Sequence, residues 1–297
     1  MRSPGERGLT TLGLNSYTEE KKYLYLEKGK KFLVYSLVFV MLLMIWLPYF
    51  WMLLTSLQEE LDLYNYPPPI LPKKITLEAY SFVLHDDKFV NSLYHSLIVS
   101  FTTTAICLIA GTLGAYAIAR LRFPFRNAFY FSLMIIYMLP GIAMLIPLLI
   151  IIRKLGLIDT HLGIILALSA FLLPLVTWFL KGLFESVPLD LEKAARVDGC
   201  TRLQSLVRVI LPISSPGIAV TAIFAILTSW NELMFAKVLG VFNIRLVTPA
   251  ISDWITPYDI HFSELSAGSI IASAPLLVIV LILQRYIIQG LTEGAIK

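Results

Sequence analysis

With 297 residues, 15% of them charged, 57% hydrophobic and a mean hydropathy of +0.76, the chain is far from a soluble domain, in which about 25% of residues are charged. A net charge of only +4, with no basic cluster interleaved with aromatics on a polar face, excludes nucleic acid as a partner. The remaining class is an all-α integral membrane protein, one membrane domain with short loops and with lipid as its solvent.

Residues 1–31 form a polar tail with seven Lys and Arg, which either meets anionic lipid or only fixes topology. A spanning helix needs about 20 mainly apolar residues, and six segments qualify. The first, 32–57, is too long for a secretory core and lacks a small-residue cleavage site, so it stays as an anchor. An extracytoplasmic loop over 58–90 follows. Its Pro67-Pro68-Pro69 and Pro72 impose a stiff, extended path, and Thr76 to Leu84 is amphipathic. It serves as a docking surface or as a spacer.

The transmembrane domain proper runs over 91–285, with helices expected at about 93–119, 127–152, 162–181, 212–234 and 265–287 and a tail over 286–297. Proline or glycine interrupts most spans: Pro48, Gly111 and Gly114, Pro140-Gly141 and Pro147, Pro174, Pro275. Each proline frees a carbonyl that lipid cannot satisfy, which belongs to a packed, moving bundle, although proline is also simply commoner in membrane helices. Seventeen of the 24 Lys and Arg fall in the segments that are inside if the N-terminus is inside, and seven in the others. Positive charge marks the cytoplasmic side, so both ends are expected in the cytoplasm.

The loop 185–211 is too apolar and too regular for a connector. Pro188 suits a helix start, and Leu191, Ala194 and Ala195 share a face. Asp198-Gly199 supplies a turn, and Thr201 with Gln204 has the form of a capping box. Leu203, Leu206, Val207, Ile210 and Leu211 then recur at helical spacing. Two short amphipathic helices joined by a glycine turn suit a groove on another protein. A helix lying flat on the membrane would favour bulkier residues than Ala194-Ala195 and flanking lysines.

Among the remaining polar groups, Asn231 and Glu232 stand near the end of the fifth span, where they line a sugar's path or mark an interfacial helix end anchored by Trp230. Cys107 and Cys200 lie at different depths and are not expected to pair. The four histidines have no companions at metal-ligand spacing and read as ordinary polar or interfacial residues, with a place lining a cavity as the alternative for His95, near a helix start. No G-x-x-x-x-G-K string is present, so energy from ATP must come through a partner.

Glu192-Lys193-Ala194-Ala195-Arg196-Val197-Asp198-Gly199, followed by Ile210-Leu211-Pro212 and Pro216, resembles the EAA loop of permease subunits of type I ABC importers. Two positions depart from that pattern. Lys193 stands where a Glu usually precedes Ala-Ala, with Glu192 one position earlier and about 100° round the helix, and Cys200 stands where Ala is common. Asn91-Ser92-Leu93, Ala115-Tyr116-Ala117-Ile118-Ala119-Arg120-Leu121-Arg122-Phe123-Pro124, Trp230-Asn231-Glu232 and Gly290-Leu291-Thr292 with Gly294-Ala295 and Lys297 are similar to the carbohydrate branch, the second permease of maltose-type or trehalose-type importers.

The resemblance implies the six-helix type I importer permease fold in a prokaryotic cytoplasmic membrane. It also implies a second homologous permease, two cytosolic ATPase subunits that bind ATP and Mg, and an extracytoplasmic sugar-binding protein. The chain itself would carry no cofactor and catalyse nothing. Glu192, Ala194, Ala195, Asp198, Gly199, Leu203 and Leu206 would couple it to the ATPase. Thr292, Glu293 and Gly294 would reach the ATPase interface, and Asn231 and Glu232 are the candidates for the sugar path. Two other classes make different demands. An ion-driven secondary transporter needs acidic groups in mid-helix, where only Glu232, near an end, comes close. A membrane enzyme needs a His/Asp/Glu constellation at one depth, and the sequence has none.

Overall fold

The structure, a computed structural model, describes the backbone of residues 6–295 and the side chains of residues 30–286. It divides into two compact units, Met1–Thr55 and Ser56–Lys297. The first is essentially one helix, α1 (Glu6–Ser56), so the helix of the first span extends back into the polar N-terminal segment. Its part from Lys30 to Ser56 is 27 residues of mean hydropathy 2.3, about 40 Å at 1.5 Å per residue.

The second unit begins with two short helices, α2 (Glu60–Leu63) and α3 (Glu78–His85), and then builds its frame from long ones. These are α4 (Asp87–Arg120), the pair α5 (Arg126–Met138) and α6 (Gly141–Lys154), and α7 (His161–Ser186). After α7 come α8 (Leu189–Val197), α9 (Arg202–Ser205), a π-helical turn (Leu206–Ile210) and α10 (Leu211–Ile213). The chain ends with α11 (Ser215–Trp230), α12 (Met234–Leu239), α13 (Val247–Ser252) and α14 (Phe262–Ala295). No strand is formed among the described residues.

Helices α4 and α7 run parallel and form the axis. His95 meets His161 near their starts, with Nδ1 and Nε2 2.9 Å apart, and Arg120 meets Phe184 at their ends. The α4 face that turns inward reads Ser92, Ser96, Val99, Ser100, Thr103, Thr104, Cys107, Gly111, Ala115. Small side chains let two backbones approach closely, which in lipid matters more than apolarity because lipid tails are as apolar as leucine. At Gly111 a Cβ would already stand 2.9 Å from Val176 Cγ1. Asp86 caps α4 by accepting from the Lys88 amide at 3.0 Å, and Thr160 caps α7 by accepting from the Gly163 amide at 3.1 Å.

Three buried clusters follow this axis. One joins Val99, Ile164 and Leu168 to Phe235, Leu239 and Leu246, and another joins Phe89 to Trp230, Val247 and Ala267. The remaining cluster packs Cys107, Tyr116, Leu172, Val176, Leu180 and Phe184 against Ala225 and against Leu206 and Ile210 of the π turn. Helices α12 and α13 with the loops around them therefore cover one end of the axis, and α8 to α10 cover the other.

The expected spans are realised unevenly. Four helices are long and apolar enough to cross a membrane, at 30–56, 87–120, 161–186 and 262–286, and two bent pairs bring the number to six if each pair is one span. The third expected span, 127–152, breaks between α5 and α6 with a bend of 102°. Leu139 and Pro140 are both extended there, and Pro140 supplies no amide to carry a helix through. The fifth, expected at 212–234, is the 16-residue α11, bent 82° away from the helical segment 202–213 that precedes it.

Candidate coupling site

At the end of the axis where α4 and α7 finish, α8 and α9 make a helical hairpin. Pro188, with φ −56° and ψ 131°, ends the approach and starts α8. Gly199 turns the chain at φ +89°, in the left-handed region that a Cβ disfavours. Thr201 then closes a complete capping box: its hydroxyl accepts from the Gln204 amide, and the Gln204 side chain accepts from the Thr201 amide at 2.8 Å. The π turn from Leu206 widens the helix before Pro212, and π turns inside α-helical segments recur at functional sites.

Inward and outward faces are sharply divided. Leu206, Ile210 and Ser205 are buried. Val197 is 87% exposed, Leu203 59% and Val207 53%, an apolar row left uncovered by the described residues. Ala194, Asp198 and Gly199 are exposed and Ala195 is half-buried. Among the residues around this row, Lys193 pairs with Asp190 at 2.9 Å and holds that carboxyl below its usual range. The pair is exposed and adds little to stability. Arg196 and Arg202 have no ion pair among the described residues, and an open cleft is lined by Lys193, Arg196, Val197, Gly199 and Cys200.

Glu192 does not belong to the outward face. It turns into the protein, where its Oε1 accepts from the Tyr116 hydroxyl at 2.6 Å and its Oε2 lies 3.5 Å from Arg120 Nε. The Arg120 Nη2 donates to the carbonyls of Phe184 and Val187, both at 2.6 Å. Those carbonyls belong to the end of α7 and the residue after it, where intrahelical donors have run out. The Arg120 and Glu192 side chains are only 5% and 11% exposed. This cluster ties α4, α7 and the hairpin together, and spacing alone does not reveal it. Its one sequence signal is an arginine that closes an otherwise charge-free span.

The other expected site residues lie elsewhere. Asn231 terminates α11, with its Nδ2 donating to the Leu227 carbonyl at 2.9 Å. Glu232 accepts from the Phe235 amide at 3.1 Å and so starts α12. Both are therefore at a helix junction at the end of the axis opposite the hairpin. Thr292, Glu293 and Gly294 continue the backbone of α14, and their side chains lie outside the described residues. Among the described residues His95 meets His161 alone of the metal-binding side-chain types, and no cluster of three such residues occurs.

Known proteins share this architecture. The model of the family described as binding-protein-dependent transport system inner membrane component matches residues 108–293. A trehalose transport system permease protein of Mycobacterium tuberculosis is 35% identical over 254 residues, 84% of this chain and 92% of its own length. A diacetylchitobiose uptake system permease protein of Streptomyces coelicolor is 32% identical over 84% of this chain and 91% of its own length. Among solved structures, a chain of a bacterial ABC transporter involved in the import of the acidic polysaccharide alginate aligns at TM-score 0.74 with 21% identity, covering 96% of this chain and 99% of that one. A chain of the MetNI methionine transporter in an inward-facing form aligns at TM-score 0.56 with 16% identity, over 70% and 96%. The chain thus belongs to the family of binding-protein-dependent transport system inner membrane components, as a multi-pass permease subunit of an ABC importer and not an enzyme.

Proposed function

We propose that the chain is one permease of an ATP-driven importer of a di- or oligosaccharide, working beside a second homologous permease. Two cytosolic ATPase subunits grip the hairpin within 185–211 and supply the ATP and Mg chemistry, and an extracytoplasmic binding protein delivers the sugar at the other end. The observation that carries this reading is the hairpin itself. Its second helix starts on a complete capping box, a buried charge cluster anchors it, and it still exposes Val197, Leu203 and Val207. An apolar row of this kind on short helices fits a groove on a partner. The sugar class is supported by the relatives, whose names record trehalose and diacetylchitobiose.

In this reading both ends of the chain are cytoplasmic, as the 17 to 7 division of Lys and Arg favours. Thr292, Glu293 and Gly294 extend toward the ATPase interface, and Asn231 and Glu232 stand where a sugar enters or leaves.

The test is uptake of labelled trehalose, maltose and diacetylchitobiose by cells with and without this chain, together with purification of the complex. At least one sugar should enter only when the chain is present, an ATPase should co-purify, and deleting residues 192–199 should remove both. Uptake that survives ATP depletion and collapses with the ion gradient would establish a secondary transporter instead. Run on Asn231→Ala and Glu232→Gln, the same assay should show reduced uptake with the ATPase retained; normal uptake in both assigns them to helix termination alone.

A further inference from the structure

The hairpin is attached to the rest of the protein by two joints of different character. One is the buried cluster. Glu192, on α8, is held by Tyr116 and Arg120 from α4, and Arg120 also holds the last carbonyls of α7. The Tyr116 hydroxyl additionally lies 3.4 Å from the Arg202 carbonyl on α9, so both arms of the hairpin meet at one phenol. A charge pair taken out of water has few alternative geometries, because moving either partner leaves the other buried and uncompensated. The other joint is the continuation into α11. It carries one charged side chain, Arg208 of the π turn, which forms no ion pair among the described residues, and it bends by 82° around Ser214.

We infer that Tyr116, Glu192 and Arg120 are positioning residues that make the hairpin, α4 and the end of α7 one stiff body, so that displacement of the hairpin is delivered to α4 and α7, while the bend at Ser214 yields. The inference rests on the proposed function, since a motor must move the hairpin for the joint to matter. It gives Glu192 a role inside the protein and leaves contact with the motor to Val197, Leu203, Val207 and to Arg196 and Arg202, which have no ion pair among the described residues.

The cluster can be weakened in steps. Tyr116→Phe removes a single oxygen, Glu192→Gln removes the charge while keeping an acceptor, and Arg120→Lys keeps the charge while losing the fork that reaches two carbonyls. The complete complex would be reconstituted in vesicles with its ATPase subunits and binding protein, and three quantities read: ATPase retained per permease, ATP hydrolysed, and sugar moved per ATP. The expected result is unchanged retention, continued hydrolysis and about a tenfold fall in sugar moved per ATP for Glu192→Gln, within the range of ordinary site-to-site couplings. Tyr116→Phe should give a smaller fall.

A merely structural role predicts something else. Uptake would then fall only in proportion to the complex recovered, with sugar moved per ATP constant, and that result overturns the inference. So does a ratio within about twofold of the original in all three variants. Tyr116→Phe is conservative enough to keep the test decisive if Arg120→Lys fails to fold. Failure of the proposed function would look different again, because the unaltered complex would then retain no ATPase at all.

Discussion

Asp159 has φ +59°, a left-handed conformation that aspartate tolerates better than most side chains. From there its carboxylate gathers the amides of Val241, Phe242, Asn243 and Ile244 at 2.8 to 3.1 Å, and the Asn243 side chain at 2.7 Å. Partial burial pushes this carboxyl up, but the amides of Asn243, Ile244 and Phe242 and the Asn243 side chain together outweigh burial and hold it below its ordinary value. A depressed carboxyl stabilises the fold fully above its unfolded value, about 3.9, and the contribution is lost as pH falls through the still lower folded value. Hydrogen exchange at residues 241–244 should therefore stay slow from neutrality down to about pH 4 and speed up only in stronger acid. Asp159→Ala should accelerate it from neutrality down to about pH 4 by about 2 kcal/mol of opening free energy, the usual size for hydrogen bonds to a charged group, and make little difference in stronger acid. A loop already released at pH 5 in the unaltered protein would contradict the assignment. Nothing in the sequence announces this clamp, because the partners are more than 80 positions apart and only the packing of α7 beside α12 brings them together. The same holds for Glu192: local spacing shows that it lies on a helix, and only the fold shows that it faces Arg120.

The hairpin shows what an element's own sequence determines and what it leaves open. Its turn, its caps and both of its helices follow from Pro188, Gly199 and the Thr201–Gln204 pair, all of which act within a few residues of themselves. The apolar residues of the second arm are a single arc in sequence, yet the structure splits that arc lengthwise. Leu206 and Ile210 enter the cluster around Phe184, and Leu203 and Val207 remain free. Where the arc divides is decided by the helices it meets. The bends are equally uneven: Pro140 breaks a span, whereas Pro174 sits buried inside an uninterrupted α7. Gly199→Val tests the hairpin as an element. A β-branched side chain at φ +89° should cost roughly 1–2 kcal/mol, there being no neighbour within 4 Å to clash with it. The penalty is therefore purely conformational, and it should open the turn without disturbing α4 or α7. The expected outcome is a protein that reaches the membrane in normal amount and retains several-fold less ATPase on purification. Full retention would show that the turn's conformation is not needed for docking.

At the scale of the whole molecule, composition already established a membrane protein, because 57% apolar residues cannot be buried in a chain of this length without lipid. The number of crossings was less legible. Hydropathy is a sum along the chain and is blind to direction, so it reads α5 with α6 as one span although the two differ in direction by 102°. Neither buries much within the chain: α5 has no buried residue and α6 has only Ile152. Met144, Leu145, Leu148 and Leu149 of α6 pack against the core, while Phe131, Ile135, Met138, Ile142 and Ile146 stay exposed. The direction of the bundle follows from charge and can be tested without any functional assay. Because α4 and α7 run parallel, the hairpin and the loop around Tyr258 lie at opposite ends of the same axis. The chain already carries a reporter at one end, since Cys200 sits half-exposed beside Gly199, and Cys107 is buried and silent. A second reporter, Tyr258→Cys, replaces a residue that is 99% exposed. If the excess of Lys and Arg marks the cytoplasm, a membrane-impermeant maleimide should label position 258 and spare Cys200 in intact cells. In inverted vesicles the pattern should reverse, provided the ATPase is first stripped away so that the hairpin is open to the reagent. Labelling of Cys200 from outside the cell would invert the bundle, place the hairpin beyond the reach of any cytosolic motor, and so remove the mechanical basis of import.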